Sequence, residues 1–441
     1  MTADVQIPKS GAYTLGRAHV PVSLVADGTG VANADGCILL DITVDGAGHL
    51  ADVAPAGTVS ASIDLAGRMV LPCFTDVHTH LDKGHIWPRR PNPDGTFMGA
   101  LENVGMDREA NWSAEDVRAR MAFGLNSAYA YGTRAIRTHL DSIAPQHTIS
   151  WPVFAEMKAE WAGRIDLQAV PLFGIERALD APFLAEIADL VQSQGGPLGA
   201  VTYMVPELDE GLDALMRLAA EKGLDLDFHV DETEEPAARS LHAIAEAAKR
   251  HGFEGAILCG HCCSLACQPG DDARRTLDLM MESDMRVVSL PMCNMYLQDR
   301  HTHEDGVVRT PRWRGVTLLH EMKARGIPVM VASDNTRDPF YAYGDLDVWE
   351  VFREATRIAH MDHPRGDWID GVTTTPASVM GLGDGALKVG NPADLIILRG
   401  RTYSEALSRA ESDRLVLRQG QAIARTLPDY DTLDPRVGAP L

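Results

Sequence analysis

The sequence predicts an α/β fold: a (β/α)8 TIM-like barrel with a small β domain formed by the N- and C-terminal segments. Three observations predict it. Eight strand-like apolar runs, at 70–78, 133–139, 165–172, 198–204, 224–229, 256–260, 286–292 and 327–333, alternate with helical patterns through the middle of the chain. Strand and helix repeated eight times give a parallel sheet that closes on itself. Both ends of the chain carry short apolar stretches broken by turn signals, which read as antiparallel strands. Four short strings sit at the downstream ends of apolar runs, in the order His78-Thr79-His80, His229-Val230-Asp231-Glu232, Gly260-His261 and Ser333-Asp334-Asn335. Side chains at the C-terminal ends of barrel strands converge on one site.

The elements follow in order. Residues 1–68 hold Cys37-Ile38-Leu39-Leu40 and Ile42-Thr43-Val44, interrupted by Asp45-Gly46 and Ala47-Gly48, and form the first part of the small β domain. Residues 69–384 form the catalytic barrel. The insert 83–111 follows its first strand and carries Pro88, Pro91, Pro93 and Gly95, so it reads as a loop over the barrel mouth. Val117, Met121, Leu125 and Tyr129 recur every four residues, the spacing of one helix face. Residues 236–251 open with proline beside an acidic run and direct Leu241, Ile244 and Ala248 inward, a second helix. Residues 385–441, with Ala393 to Leu398 and Leu415 to Gly420, return to the small β domain.

The composition is that of a globular protein: 441 residues, 45% hydrophobic and 23% charged. A formal net charge of −22 repels phosphates, so nucleic acid and anionic membrane are not expected partners. No apolar stretch is long enough to span a bilayer. The N-terminus lacks a basic start followed by an apolar segment, so a cytoplasmic location is expected. The seven cysteines read as reduced thiols; Cys262, Cys263 and Cys267 lack the paired spacing of a metal site and are expected to be buried and inert. The expected partners are a small heterocyclic substrate and, for assembly, further copies of the chain in a homo-oligomer.

His78 and His80 lie two apart on extended backbone, so both imidazoles face one side. His229 adds a third nitrogen and Asp334 an oxygen. That donor set suits one Zn2+ or Fe2+ per chain and leaves a coordination position for water. A bound divalent ion lowers the pKa of its water to near 7, making hydroxide available as the nucleophile. Asp334 is placed to take the proton. Glu232, three residues beyond His229, suits a general acid that protonates the substrate. His261 suits orientation of the water and stabilisation of the developing oxyanion. The fourth strand, Gly199 to Met204, has no lysine to bridge two ions, which favours a single metal. Lys83 reads as a loop cation or a charge behind the ligands.

On these residues the chain resembles the amidohydrolase superfamily and, within it, the cytosine deaminase branch. The strings His78-Thr79-His80-Leu81-Asp82, Arg137-Thr138-His139, His229-Val230-Asp231-Glu232, Gly260-His261, Tyr296-Leu297-Gln298-Asp299-Arg300, Asp334-Asn335 followed by Asp338-Pro339, and Asn391-Pro392-Ala393-Asp394-Leu395 carry the resemblance. It implies hydrolytic removal of an amino group from a heterocyclic ring carbon, with His78, His80, His229 and Asp334 as metal ligands and Glu232, His261 and Asp334 as catalytic groups. The expected substrate contacts are Leu81, Phe173, Asn335 and Phe340.

Two departures from that branch bear on the substrate. The third-strand stretch Ala169 to Gly174 has no glutamine for the ring amide edge, and Asn335 stands where a second aspartate is usual. An aspartate only accepts hydrogen bonds, whereas an asparagine also donates. The expected substrate is cytosine or a related aminopyrimidine. The alternatives are an N-alkylammelide-type aminotriazine that loses an alkylamine, or a cyclic amide. A catalytically silent barrel is disfavoured because Glu232 and every ligand are present.

Overall fold

The computed structural model describes residues 5–26, 30–301, 305–363, 366–409 and 414–438; residues 1–4, part of the N-terminal reading above, lie outside them. Strands Phe74–Thr79, Thr133–Asp141 and Asp166–Leu172 form one sheet in that order. Val201–Thr202, Leu226–Val230, Ile257–His261, Met285–Ser289 and Val329–Val331 form a second, parallel and in chain order. Two parallel bridges join these sheets into a ring of eight, Gly174 to Val201 and Thr79 to Asp334. At the second bridge the Asp334 N–H donates to the His78 carbonyl at 2.9 Å. The barrel therefore closes between two of the strings singled out in the sequence. Its strands Leu226–Val230 and Ile257–His261 are buried at every position, as expected where a parallel sheet is covered on both faces.

Several expected elements change. The run 70–78 is two strands. Val70–Pro72 pairs antiparallel with Leu395–Leu398 in the small β unit. The backbone then changes partner: Cys73 N–H donates to Asp394 O, and Phe74 N–H to Gly132 O. The seventh strand stops at Ser289, and Pro291–Leu297 is a short helix; Pro291 at its start needs no N–H partner there. The insert 83–111 is not a loop throughout, because Phe97–Asn111 is a helix. The Thr96 hydroxyl accepts from the Gly99 N–H at 3.0 Å, a cap that the prolines upstream obscured.

Contacts group the chain into two units, Met1–Thr75 with Asn126–Ala135 and Asp347–Leu427, and Asp76–Leu125 with Ile136–Leu346 and Pro428–Leu441. The first holds two four-stranded sheets. One runs in the order Leu50–Pro55, Cys37–Val44, Tyr13–Pro21, Ile63–Asp64; the other runs Gln421–Ala422, Arg414–Arg418, Leu395–Leu398, Val70–Pro72. Both chain ends thus build the small β structure. The division differs from the sequence boundaries at 68 and 385, since residues 347–384 group with the small β unit and 428–441 with the barrel. Tyr430 stacks on Phe123 with ring centroids 5.2 Å apart, and Leu433 and Val437 cluster with Phe123, which explains the second transfer.

Within the barrel unit one guanidinium ties three segments together. Arg89 bonds Asp107 at 2.9 Å, Asp116 at 2.6 Å and the Arg436 carbonyl at 3.0 Å. Burial alone would raise the Asp116 carboxyl, but hydrogen bonds to Arg89 and Arg120 hold it below its usual value. Removing one partner of a buried charge pair costs roughly 3–5 kcal/mol. Arg89→Ala is therefore expected to lower unfolding stability by about 3 kcal/mol, read from a denaturant melt at pH 7. A group with a depressed folded pKa stabilises above its unfolded pKa, so the Asp116 share is present above about pH 4 and is lost as pH falls through the folded value. A melt indifferent to the substitution would remove this network from the stability of the barrel.

Candidate active site

Strand geometry explains which side chains meet. Asp76, His78 and His80 share one parity of the first strand. Arg137, His139 and Asp141 share one parity of the second, and Asp227 and His229 one of the fifth. A polar layer forms lower in the barrel, where Arg137 donates to Asp227 at 2.9 Å and to Gln168 at 3.0 Å. Above it stand the histidines. Three strand ends carry non-glycine residues with positive φ: Asp231 at 46°, His261 and Cys262 at 65° and 53°, and Asp334 at 61°. Such backbone costs on the order of 1–3 kcal/mol per residue and persists where surrounding structure imposes it. At Asp231 the imposing contacts are visible. Its carboxylate accepts from the Ser240 and Leu241 N–H groups at 3.1 and 3.0 Å, capping helix Ser240–His251. The helix thereby fixes the turn between His229 and Glu232.

The four expected donors lie near one another. His229 Nε2 lies 3.1 Å from His78 Nε2 and 3.3 Å from His80 Nε2. Asp334 Oδ1 lies 3.6 Å from His78 Nε2 and 3.2 Å from His80 Nε2. Donors about 2.1 Å from a common tetrahedral centre stand about 3.4 Å apart, and these separations bracket that value. Burial pushes all three imidazoles well below their usual pKa, so they are neutral and carry free lone pairs. Asp334 is fully buried, and among the described residues neither carboxylate oxygen has a hydrogen-bond partner. Burial pushes it up to about 7. An unpartnered buried carboxylate beside three neutral imidazoles is costly by itself and is what a divalent cation needs.

Glu232, His261 and Asp334 also lie within ligand distance of one another. His261 Nδ1 is 3.4 Å from Glu232 Oε1. Burial, then the nearby Asp334 carboxylate, raises Glu232 well above the usual carboxyl range and disfavours its ionised form. Burial lowers His261 to about 3, which keeps it neutral.

The four expected substrate contacts divide. Asn335 Nδ2 donates to Asp338 at 2.7 Å, and its Oδ1 is 3.7 Å from the Cys293 thiol, which itself reaches Glu232. Phe340 packs edge-on against Phe97 at 5.4 Å, with the Lys83 ammonium 5.5 Å from its ring centre. Both adjoin Cys293, whose thiol lies 3.7 Å from Asn335 Oδ1 and 3.8 Å from the Phe340 carbonyl. Leu81 is turned toward the helix Ala114–Tyr131, where a Cβ on Gly124 would lie 3.4 Å from its Cδ2. Phe173 packs on Phe183 of the helix Ala181–Gln194 at 5.2 Å. The cause is alternation: Leu81 follows the inward His80, and Phe173 has the opposite parity to the inward Gln168.

The structure adds residues that the sequence reading left without a role. His139 is fully buried, its ring 4.0 Å from that of His78 and 4.5 Å from that of His229. Lys83 is buried and bonds Asp141 at 3.0 Å. Asn294 and Cys293 come from the short helix after the seventh strand, whose start was hidden inside a run read as strand. The signal available for His139 was its place at a strand end. Cys262 and Cys263 are buried free thiols, with their pKa pushed up by burial. No helix among the described residues is long and apolar enough to cross a membrane.

Comparison with known proteins agrees with this geometry. A pterin deaminase of Rhizobium rhizogenes (strain K84) is 54% identical over 436 residues, 98% of each chain. An N-isopropylammelide isopropyl amidohydrolase of Pseudomonas sp. (strain ADP) is 24% identical over 379 residues, 84% of this chain and 89% of that one. The crystal structure of 5-methylcytosine deaminase from Klebsiella pneumoniae liganded with phosphonocytosine has a TM-score of 0.79 at 25% identity, covering 93% of this chain and 98% of that chain. The model of the amidohydrolase family matches residues 61–150 and 179–424, and with the barrel and its converging imidazoles and carboxylate already described, the chain belongs to that family.

Proposed function

We propose that this protein is a metal-dependent deaminase of pterins, replacing the ring amino group of a 2-amino-4-oxopteridine by oxygen and releasing ammonia. The observation that carries the substrate is the 54% identity, end to end, with a pterin deaminase. The site supports the chemistry. His78, His80, His229 and Asp334 would hold one divalent cation, Zn2+ or Fe2+, which lowers the pKa of a water to near 7 when bound. Glu232 carries a proton in a nearly buried position and donates it to the ring nitrogen beside the amino-bearing carbon, which makes that carbon electrophilic. Asp334 takes the proton released by the water and gives it to the departing amine, and as the C–N bond breaks the hydroxyl hydrogen on the ring carbon returns to Glu232. His261, neutral, donates a hydrogen bond to the incoming oxygen. Asn335 and Phe340 border the substrate. The family's aromatic contact at Phe340 suits the face of a planar fused ring.

Cytosine is the second reading, favoured by the likeness to 5-methylcytosine deaminase. Two features weigh against it. Gln168, a glutamine outside that stretch and lower on the third strand, is engaged by Arg137 a layer below the histidines, and the Asn335 amide is engaged by Asp338. Neither is free to pair cytosine's ring edge, and unpaired buried polar groups are expensive.

An ammonia-release assay on cation-loaded protein with pterin, cytosine and N-isopropylammelide tests the assignment. The expected kcat/KM for pterin exceeds that for cytosine by at least about tenfold, which is about 1.4 kcal/mol of transition-state discrimination, and no isopropylamine appears. A preference for cytosine, or isopropylamine release, would overturn the pterin assignment while leaving the deaminating machinery in place.

A further inference from the structure

Asn294 makes an unusual pair of contacts. It lies on the short helix Pro291–Leu297 and is fully buried. Its single amide nitrogen donates to Glu232 Oε1 at 3.1 Å and meets His261 Nδ1 at 2.9 Å. An amide nitrogen carries two hydrogens and no lone pair to offer. It satisfies both neighbours only if Glu232 Oε1 and His261 Nδ1 both accept. Each consequence is a statement about where a proton sits. A neutral imidazole has one N–H, so accepting at Nδ1 places the His261 proton on Nε2. Nε2 has no hydrogen-bond partner among the described residues, and the ring stands among the histidines of the site, 5.4 Å from His78 and 5.1 Å from His229. Glu232 Oε1, which accepts from the amide, directs no hydrogen at Asn294.

We propose that Asn294 is the positioning residue that sets the tautomer of His261, holding it in the Nε2–H form while anchoring the Glu232 carboxyl through Oε1. The Asn294 backbone is held independently: its N–H donates to Leu290 O at 2.9 Å, and its carbonyl accepts from Gln298 N–H at 2.9 Å. Gln298 in turn donates to the Glu232 carbonyl at 3.3 Å, so the helix after the seventh strand is tied directly to the turn that carries Glu232. An aspartate at 294 inverts the logic. It offers only lone pairs, so His261 must present Nδ1–H to it, and Nε2 then loses the hydrogen that faces the reaction.

This role rests on the deaminase reading for its catalytic meaning, but the proton assignment does not. The test uses full-length cation-loaded protein carrying 15N-labelled histidine, with His261 assigned by difference against His261→Gln. Nitrogen shifts are expected to report Nε2–H in the native protein and Nδ1–H in Asn294→Asp. With whichever heterocycle the protein deaminates, Asn294→Asp and Asn294→Ala are expected to lower kcat by about 10–100-fold, the scale of a mispositioned acid–base group. KM is expected to stay within a few-fold and cation content to be unchanged. The same ring tautomer in both proteins would overturn the proposal. So would Asn294→Ala with native kcat, or one whose kcat, KM, melting temperature and cation content all decline together, as for a merely structural residue. Absence of activity on pterin would overturn the substrate assignment alone, because the nitrogen shifts still decide the role of Asn294.

Discussion

Glu232→Gln is expected to keep its cation and lose about 10²–10⁴-fold in kcat, the contribution of a positioned general acid. The amide matches the carboxyl in shape and still accepts from Asn294 Nδ2, so the surrounding contacts persist. What it lacks is the transferable proton. Burial and the Asp334 carboxylate both disfavour the ionised form of the native carboxyl. KM is expected to change little, since an interaction made only in the transition state lowers kcat and kcat/KM together. Steady-state kinetics with elemental analysis on the same preparation read both outcomes. Activity within a few-fold of the native protein would remove Glu232 from proton transfer.

The second large effect is His229→Ala, which is expected to empty the donor set. His229 Nε2 lies within 3.3 Å of both His78 Nε2 and His80 Nε2. Without it two imidazoles and one carboxylate remain, too few for a closed three-histidine grip. Even substitutions behind the ligands weaken metal affinity by about 10–100-fold, and loss of a ligand is expected to exceed that. Cation content after gel filtration should fall from about one per chain to below about a tenth, and turnover should fall with it. The melting temperature should fall as well, because a ligand that binds only the folded state stabilises it by mass action. The buried Asp334 carboxylate then also loses its partner, at a cost of several kcal/mol if it stays ionised. Full occupancy in this variant would show that the histidine is not a ligand.

Much of this architecture was legible because period and position are local signals. The apolar runs announced the barrel strands, and His78-x-His80 announced two side chains on one face. The strings at the ends of the fifth, sixth and eighth strands announced where donors would lie. The misjudged elements share a cause. The run 70–78 is apolar throughout, but its pairing partner changes at Cys73, and hydropathy does not encode a partner. The run 286–292 hides the turn after Ser289, so Cys293 and Asn294 were not seen as part of the site. In the insert the prolines and Gly95 outweighed the Thr96 cap. Leu81 and Phe173 were expected as substrate contacts, whereas a single step along a strand sends a side chain to the opposite face.

The sequence by itself determined the barrel, the small β structure from both termini, and the kind of donors gathered at the strand ends, because repeating strand and helix patterns and strand-end histidines act over a few residues. Tertiary structure decided which of those groups touch. It closed the ring at Thr79 and Asp334, buried the Asp334 carboxylate among neutral imidazoles, and set one Asn294 amide between Glu232 and His261. Those contacts join residues tens to hundreds of positions apart. Their protonation depends on burial and hydrogen bonding, which exist only once the chain is folded.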